Sequence, residues 1–296
     1  MVNPETTVDV QRAFAKLDPL RLRRMTSEEL FPSRPRSGRC RICARRTELT
    51  REHIPPRTAF NTRQGTSPTL LEWYSNPGLE LPDTGSVFQG GVWGYILCDR
   101  CNNTTGRYGR EYGDWARGAA RVLTSLERSL EELDHLDQWG YANVHFRGVY
   151  PGRFVRQAIS MVLSVSGSFE LSARHPELRE LALGGRPMPL PADLRLFLGL
   201  YAGPMVRFVG GPWGQPTWSD QADGWSWVIE AAFPPFSIQL LVDGDPSRLG
   251  GVDISGFTKI DTAAKSDFQI EKWMIGFGHI PHPTDFRTIG MLASRG

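Results

Sequence analysis

The amino-acid sequence predicts an α+β protein built in successive parts, and three features of the 296-residue chain lead to this prediction. Its four cysteines fall into two close pairs, both in the first third or so of the chain. Apolar residues at three- and four-residue steps follow the second pair, which is typical of an amphipathic helix. From Gly140 onward, strand-like and helical patterns are mixed. We therefore expect a small cysteine-stapled unit, a connecting helix and a larger mixed domain.

Composition places the chain among folded globular proteins. Hydrophobic residues make up 40% of it and charged residues 22%, which argues against a disordered or fibrous protein. Every apolar run is far shorter than the roughly 18 residues that a membrane-spanning helix needs. The first residues, MVNPETTVDVQ, lack the basic and apolar regions of a signal peptide. We therefore expect a cytoplasmic protein that does not contact a membrane.

Positive charge is concentrated near the N-terminus, although the net charge is only +2. Residues 1–59 contain 13 Lys and Arg against 7 Asp and Glu. Nearly all of these basic residues are arginines, whose planar guanidinium groups suit phosphate well. Two interpretations remain open: a solvated basic surface, or contact with a nucleic-acid backbone.

Composition shifts divide the chain into four predicted regions. The first contains two short helical patterns, Val8–Leu17 and Leu20–Leu30, and the second is irregular and rich in turn formers, as in small metal-stabilised units. Within the second region, residues 61–92 are expected to form a long loop or irregular insertion before a short strand, VWGYILC. The regions are residues 1–37, a helical basic arm; 38–115, the cysteine-stapled unit; 116–139, a connecting helix; and 140–296, the α+β domain.

Periodicity predicts the elements of the last two regions. A long helix is expected to begin after Asn103 and to end near Leu136, and buried helices are expected over GRFVRQAISMVLSVS, Pro176–Leu183 and Ala192–Leu200. The segments predicted as strands are YANVHFRGV, MVRFVG, WSWVIEAAF, FSIQLLVDG, VDISGFTKI and FQIEKWMIGF.

The cysteine pairs predict a structural zinc site. Cys40 and Cys43 form one CxxC turn, and Cys98 and Cys101 form the other. In a cytosolic protein this spacing is typical of zinc rather than of disulfides. Each turn presents two thiolates to one ion, so the two turns together supply a tetrahedral four-thiolate site. Such a site would close a large loop of residues 44–97.

That loop contains a glutamate and a histidine side by side, in LTREHIPPRTAF. Pro55 and Pro56 exclude a helix through Glu52 and His53 and favour an extended segment. Neighbouring side chains of an extended segment point to opposite faces, so the two side chains can meet different partners. A histidine titrates near ~6.5 and can accept a proton at physiological pH.

The segments CRIC, REHIPP and LCDRCNN together resemble the HNH, or ββα-metal, nuclease family on a treble-clef zinc scaffold. Their layout is most similar to that of phage Holliday-junction resolving endonucleases, in which an acidic residue also precedes the histidine and an asparagine follows the last cysteine. The resemblance covers roughly residues 38–115. It implies a zinc-stapled ββα-metal nuclease domain that hydrolyses DNA. The long helix and the C-terminal α+β domain predicted from periodicity would follow it, and we expect that domain to serve target recognition or sensing.

The resemblance also implies roles for individual residues. His53 would be the general base, and Glu52 and Asn102 would bind a catalytic divalent ion, Mg²⁺ or Mn²⁺. The family's middle asparagine, which orients the histidine loop, has no counterpart just before Cys98, and Asn76 is the candidate for that role. Basic residues near the motif are candidate phosphate contacts, with simple exposure as the alternative: Arg51, Arg57, Arg100, Arg107 and Arg110.

Alternatives to a DNA nuclease follow from the same residues. An RNA nuclease would use the same phosphodiester chemistry, and a non-catalytic treble-clef module could bind nucleic acid through its arginines alone. The Glu52–His53 pair favours the enzyme, since a mere binder does not need it. By analogy of layout, the chain resembles restriction and phage-defence effectors with a sensor domain. The sequence leaves the oligomeric state open, with a homodimer compatible with it.

Overall fold

The computed structural model describes residues 31–62, 65–67, 86–132, 141–167, 170–201, 207–215, 226–242 and 251–274. The predicted helices Val8–Leu17 and Leu20–Leu30, as well as Asn76, lie outside these residues. The described chain is mixed α+β, as the sequence predicts, and its strands form one five-stranded sheet and four two-stranded pairs. None of the described helices combines the length and the apolar character that a bilayer crossing requires.

The cysteine-bearing part consists of three short antiparallel strand pairs followed by two helices. Strand β1 pairs with β2, β3 with β6, and β4 with β5. The strand predicted in VWGYILC is confirmed as β6, and the predicted insertion contains β4 and β5. The elements are β1 (Ser37–Arg39), β2 (Arg46–Glu48), β3 (Thr50–His53), a 3-10 helix (Arg57–Ala59), β4 (Gly65–Ser67), β5 (Ser86–Phe88), β6 (Trp93–Leu97), α1 (Asp99–Gly106) and α2 (Gly109–Glu132).

The helical part of this region begins earlier than the sequence predicts. Helix α1 starts at Asp99 instead of after Asn103, because Cys98 has an extended backbone and acts as the N-cap. The carbonyl of Cys98 accepts a hydrogen bond from the Asn102 amide at 2.9 Å. The second CxxC turn is therefore the first turn of α1, and the long predicted helix follows as the separate helix α2.

The remaining elements surround a five-stranded antiparallel sheet in the order β12-β8-β11-β10-β9. Strand β7 pairs with β13, so the first and last described strands of this region lie side by side. The elements are β7 (Tyr141–Val149), α3 (Pro151–Val165), α4 (Leu171–Arg174), α5 (Pro176–Ala182), β8 (Leu194–Leu200), β9 (Arg207–Gln215), β10 (Ser226–Phe233), β11 (Phe236–Val242), β12 (Val252–Asp253), a 3-10 helix (Ser255–Lys259) and β13 (Ser266–Met274).

Two predicted elements of this region are wrong. Ala192–Leu200 was expected to be helical but forms strand β8, which pairs with β11 along its whole length. Its leucines recur at every second position, which suits a strand better than a helix. VDISGFTKI was expected to be a strand, but only Val252–Asp253 forms one, and the 3-10 helix follows.

Helix α3 lies at the centre of the described fold. Of its fifteen residues only Arg153 is not buried, as expected for a helix that is largely apolar and enclosed on all sides. The ring of Phe154 stacks on Tyr112 and Trp115 of α2, with ring centroids 5.1 and 4.2 Å apart. One continuous core runs from the cysteine-bearing part to the five-stranded sheet. The cysteine-bearing part is therefore packed on α3.

Glu111 joins α2 to the start of α3. This buried carboxylate accepts hydrogen bonds from the indole of Trp115 at 2.9 Å and from the backbone amide of Tyr150 at 2.8 Å. Tyr150 directly precedes α3, so the two contacts fix the angle at which the chain enters that helix.

Candidate functional site

The four cysteines meet at one point. Their Sγ atoms all lie within 4.8 Å of one another, and those of Cys43 and Cys98 are 3.8 Å apart. None of the four forms a disulfide. A tetrahedral zinc ion with Zn–S bonds of about 2.3 Å would hold its sulfurs roughly 3.8 Å apart. The cluster of Cys40, Cys43, Cys98 and Cys101 therefore fits a zinc ion.

Backbone hydrogen bonds build the first CxxC turn and tie it to the second. The amide of Ala44, which has a left-handed backbone (φ 61°), donates to the carbonyl of Cys40 at 2.9 Å. Within the turn, the amide of Arg41 donates to the carbonyl of Ile96 in β6 at 3.2 Å. Because β6 leads directly into Cys98, this bond brings the two cysteine pairs together.

The thiols influence one another strongly. A hydrogen bond from Cys101 lowers the pKa of Cys40 to about 5, and nearby backbone amides act in the same direction. The same hydrogen bond raises the pKa of Cys101, and burial raises that of Cys43. One sulfur of the cluster thus carries negative charge readily, and a bound cation would favour the thiolate form of all four.

Strand β3 carries Glu52 and His53 and is fixed between β6 and α1. In the antiparallel pair, Glu52 lies opposite Gly94 and His53 lies opposite Trp93. The side-chain amide of Asn102 in α1 donates two hydrogen bonds of 2.9 Å to β3, to the hydroxyl of Thr50 and to the carbonyl of the following residue. Asn102 thus connects the start of α1 directly to the strand that carries the Glu-His pair.

The two members of the pair differ in exposure. Along β3, Arg51 is exposed, Glu52 is buried and His53 is half-buried. Successive side chains therefore point to opposite faces of the strand, as the sequence predicts. Glu52 is 8% exposed, and burial raises the pKa of its carboxyl to about 8. A carboxyl in such a place is mostly neutral at pH 7, and a nearby cation would favour its ionised form.

His53 is held in its neutral form. Burial lowers the pKa of His53 to about 4, and the charges of Arg51 and Arg57 act in the same direction. A hydrogen bond to the Gly90 backbone opposes this shift. The Nε2 atom is buried and has no hydrogen-bond partner among the described residues. At physiological pH the ring therefore keeps an unprotonated nitrogen that can accept a proton.

Asn61 is a site residue that the sequence analysis missed. Its fully buried amide group donates to the carbonyls of Pro55 at 2.7 Å and Val92 at 2.8 Å, and its oxygen accepts from the Val92 amide at 2.6 Å. The loop that follows His53 is thereby fixed to the residue just before β6. Asn61 thus makes hydrogen bonds of the kind that the sequence analysis expected of Asn76, which lies outside the described residues.

The 3-10 helix after the histidine loop rests on α2. The hydroxyl of Thr58 donates to the carbonyl of Gly109 at 2.7 Å. One turn further along α2, a Cβ atom at Gly113 would lie only 2.6 Å from Cβ of Thr58, so this close approach requires glycine. The loop beyond His53 is thus held from two sides, by Asn61 and by α2.

The five arginines predicted to contact phosphate are all exposed. One of them already has a partner, because the guanidinium of Arg51 lies over the ring of Trp93, 3.9 Å from the ring centroid. Arg51 and Arg57 lie on either side of the Glu-His pair. Arg100 lies in α1, Arg107 directly follows α1, and Arg110 lies at the start of α2.

Comparison of the chain with protein-family models, with curated proteins and with solved structures gave no match. The functional argument therefore depends on the geometry of the site itself.

Proposed function

We propose that this protein is a zinc-stabilised, metal-dependent endonuclease of the HNH type that hydrolyses phosphodiester bonds in DNA. The observation that carries the proposal is the connection between Asn102 and β3. Through its two hydrogen bonds, the first turn of α1 is tied to the strand that bears Glu52 and His53. An antiparallel strand pair followed by such a helix, beside a four-cysteine cluster, is the arrangement that the resemblance implies.

His53 is the proposed general base. The ring is neutral at physiological pH, and its Nε2 atom is not engaged by any described residue. Nε2 takes a proton from a water molecule as the water oxygen attacks phosphorus. The bond from phosphorus to the 3′-oxygen breaks, and the leaving oxygen takes a proton from solvent. The products carry 5′-phosphate and 3′-hydroxyl ends.

Glu52 and Asn102 are the proposed ligands of the divalent ion. Both N–H groups of the Asn102 amide are used on β3, and its oxygen makes no hydrogen bond within the described part of the chain. A carboxylate and an amide oxygen are ligands that Mg²⁺ and Mn²⁺ accept, with water and phosphate oxygens completing the shell. When bound, the ion would polarise the phosphoryl group and stabilise the leaving oxygen.

The zinc cluster has a structural role in this proposal. All four of its thiols are used for binding, which is typical of a structural site and leaves no open position for a substrate. It fixes the first turn of α1, and therefore Asn102, relative to β6. The exposed arginines around His53 supply positive charge to a phosphate backbone.

A second candidate is a zinc module that binds nucleic acid without cleaving it. The exposure of all five candidate arginines favours this alternative, because they would suffice for binding. The two candidates differ in what they require of His53, since binding alone does not need a neutral histidine.

A cleavage assay separates the candidates. Wild type is expected to nick or linearise supercoiled plasmid with Mg²⁺ or Mn²⁺ and to be inactive with EDTA in excess of the divalent ion. His53→Ala and Asn102→Ala should each lose at least about a hundredfold in rate, in line with the usual contribution of a general base. Both variants should retain zinc by metal analysis.

Two exposed positions provide matched controls. His145→Ala removes an exposed histidine of β7, and Asn103→Ala removes the exposed amide next to Asn102. Both should cleave at the wild-type rate. Equal cleavage by wild type and His53→Ala would contradict the role of the base. Binding without cleavage by wild type, over plasmid, single-stranded DNA and RNA, would support the binding module.

A further inference from the structure

Two aromatic residues share the outer face of the strand pair with His53. Trp93 lies opposite His53, and Tyr95 lies opposite Arg51. Side chains two positions apart on a strand point to the same face, so these four groups form one surface. In β6 both aromatic residues are half-buried while Gly94 between them is buried. The half-buried ring of Trp93 is therefore next to the residue proposed as general base.

The indole of Trp93 is held in one orientation. Its Nε1 donates to the carbonyl of Gln89 at 2.8 Å. The ring of Tyr95 meets it edge-on, with centroids 6.0 Å apart and an interplanar angle of 86°. The guanidinium of the exposed Arg51 covers its face. One face of a fixed aromatic ring is thus occupied by the planar guanidinium of an exposed side chain.

We propose that Trp93 is a stacking platform for an unpaired nucleobase, and that Arg51 occupies the ring until the nucleic acid binds. The inference rests on the proposed function and names its substrate class: DNA with unpaired nucleotides at the cleavage point. A guanidinium and a nucleobase are both flat groups that stack on an indole. Stacking of a base strengthens binding roughly 5- to 150-fold, against roughly 2- to 5-fold for an exposed cation–π contact. The base therefore displaces Arg51.

Displacement gives Arg51 a second role. Once it leaves the ring, its guanidinium is free to bind the phosphate beside the stacked base, which is the bidentate contact that arginine makes well. Arg57 adds positive charge near His53 as well, since the charges of both arginines lower the pKa of His53. The stacked base thus belongs to a nucleotide flanking the phosphate that His53 serves.

The class of substrate follows from which base faces are accessible. Within a continuous duplex every internal base is covered on both faces by its neighbours, so an indole of the protein cannot stack on it. A single strand, a flap or a mismatched bubble presents an open face. We therefore expect duplex DNA to bind through phosphate contacts alone, and DNA with unpaired bases to gain the stacking contact in addition.

A binding experiment tests the platform without requiring cleavage. In the His53→Ala background, affinity is measured at fixed salt for a single-stranded and a duplex oligonucleotide of the same sequence, both labelled with 2-aminopurine. Trp93→Ala is expected to weaken single-strand binding about 5- to 150-fold and duplex binding less than about 2-fold. Stacking should quench the 2-aminopurine fluorescence of the single strand, and Trp93→Ala should abolish this quenching.

Further variants guard against a purely structural effect. The quantity compared is the preference for the single strand, which is the ratio of single-strand to duplex affinity. Trp93→Phe keeps an aromatic face and should retain most of this preference, whereas Trp93→Leu keeps apolar bulk and should lose it. Tyr150→Ala is the matched control, because it removes a ring that carries a similar arginine stack, Arg153 at 4.0 Å, at another place in the molecule. It should leave the preference unchanged.

Two results would overturn the inference. One is equal weakening of single-strand and duplex binding by Trp93→Ala, and the other is full preference in Trp93→Leu. These results are distinguishable from failure of the proposed function. A protein that prefers unpaired bases through Trp93 but never cleaves would refute the nuclease alone. A protein that cleaves duplex and unpaired DNA equally, through His53, would refute the platform alone.

Discussion

Replacement of Asn61 by alanine should destabilise the protein by about 2–6 kcal/mol. The substitution removes the partner of two buried backbone groups, the Val92 amide and the Pro55 carbonyl. Each such group left without a hydrogen bond costs about 1–3 kcal/mol. The Val92 carbonyl is not counted, because it keeps the hydrogen bond from the Ile54 amide at 3.0 Å.

The isosteric change Asn61→Asp separates the hydrogen bonds from the volume of the side chain. It keeps an oxygen for the Val92 amide but places a second carboxylate oxygen against the carbonyls of Pro55 and Val92, where Asn61 now donates. At pH 7 this variant should be at least as unstable as Asn61→Ala. At lower pH, protonation of the carboxyl restores one donor, so part of the stability should return.

Urea unfolding at pH 7 with zinc in excess measures both effects, with Asn103→Ala as the control for an exposed amide. The control should lie within about 0.5 kcal/mol of wild type. Cleavage should also fall in both Asn61 variants, because the loop that follows His53 loses its attachment. A loss below about 1 kcal/mol for Asn61→Ala, or wild-type stability of Asn61→Asp at pH 7, would refute this reasoning.

Three further predictions concern the rest of the site. Cys98→Ser should reduce the metal content from about one zinc per chain to nearly none; full zinc content would contradict the four-thiolate site. Without a divalent ion, burial raises the pKa of Glu52 to about 8, so the folded chain retains a proton that the unfolded chain releases near 4.5. The contribution of Glu52 to the free energy of unfolding should therefore fall as pH rises from about 5 to 8, whereas His53 and Cys40, whose pKa values are lowered, act in the opposite direction. Urea titrations should show this fall in the difference between wild type and Glu52→Gln, where the other groups cancel; a difference that does not change with pH would count against the effect. Gly91→Ala should lower the thermal unfolding midpoint, because the φ of +99° at this position suits glycine and a Cβ would collide with Asn61. In the control Gly106→Ala, the added Cβ meets no neighbour, so the midpoint should stay the same or rise slightly. Similar midpoints for the two variants would contradict the close approach of Gly91 to Asn61.

The features that the sequence predicted well depend on local spacing. Two cysteines three positions apart must lie on one turn, so Cys40 and Cys43 were recognisable as a metal-binding pair without any knowledge of the fold. Helix α3 was recognisable because a largely apolar segment of fifteen residues is too long for an ordinary strand. The extended conformation of Glu52 and His53 followed from the two prolines that come after them.

The features that the sequence did not reveal depend on distant partners. Asn61 bonds to Val92, thirty-one positions away, and no spacing rule connects the two. Ala192–Leu200 was predicted to be a helix although its leucines alternate, and leucine is also a strong helix former. Its strand conformation is fixed by pairing with Phe236–Val242. The stack of Arg51 on Trp93 likewise appears only when β3 and β6 are paired.

The hydrogen bonds between Asn61 and Val92 have a consequence for how this protein can diversify. They join the two ends of a stretch of about thirty residues to each other, so the ends can stay in place when the middle of the stretch changes. Doubling the length of a flexible loop costs only about 0.6 kcal/mol when its ends are fixed. New sequence can therefore be exchanged in the middle of this stretch, between β4 and β5, by evolution or by grafting, while His53, Asn102 and the cysteines keep their positions.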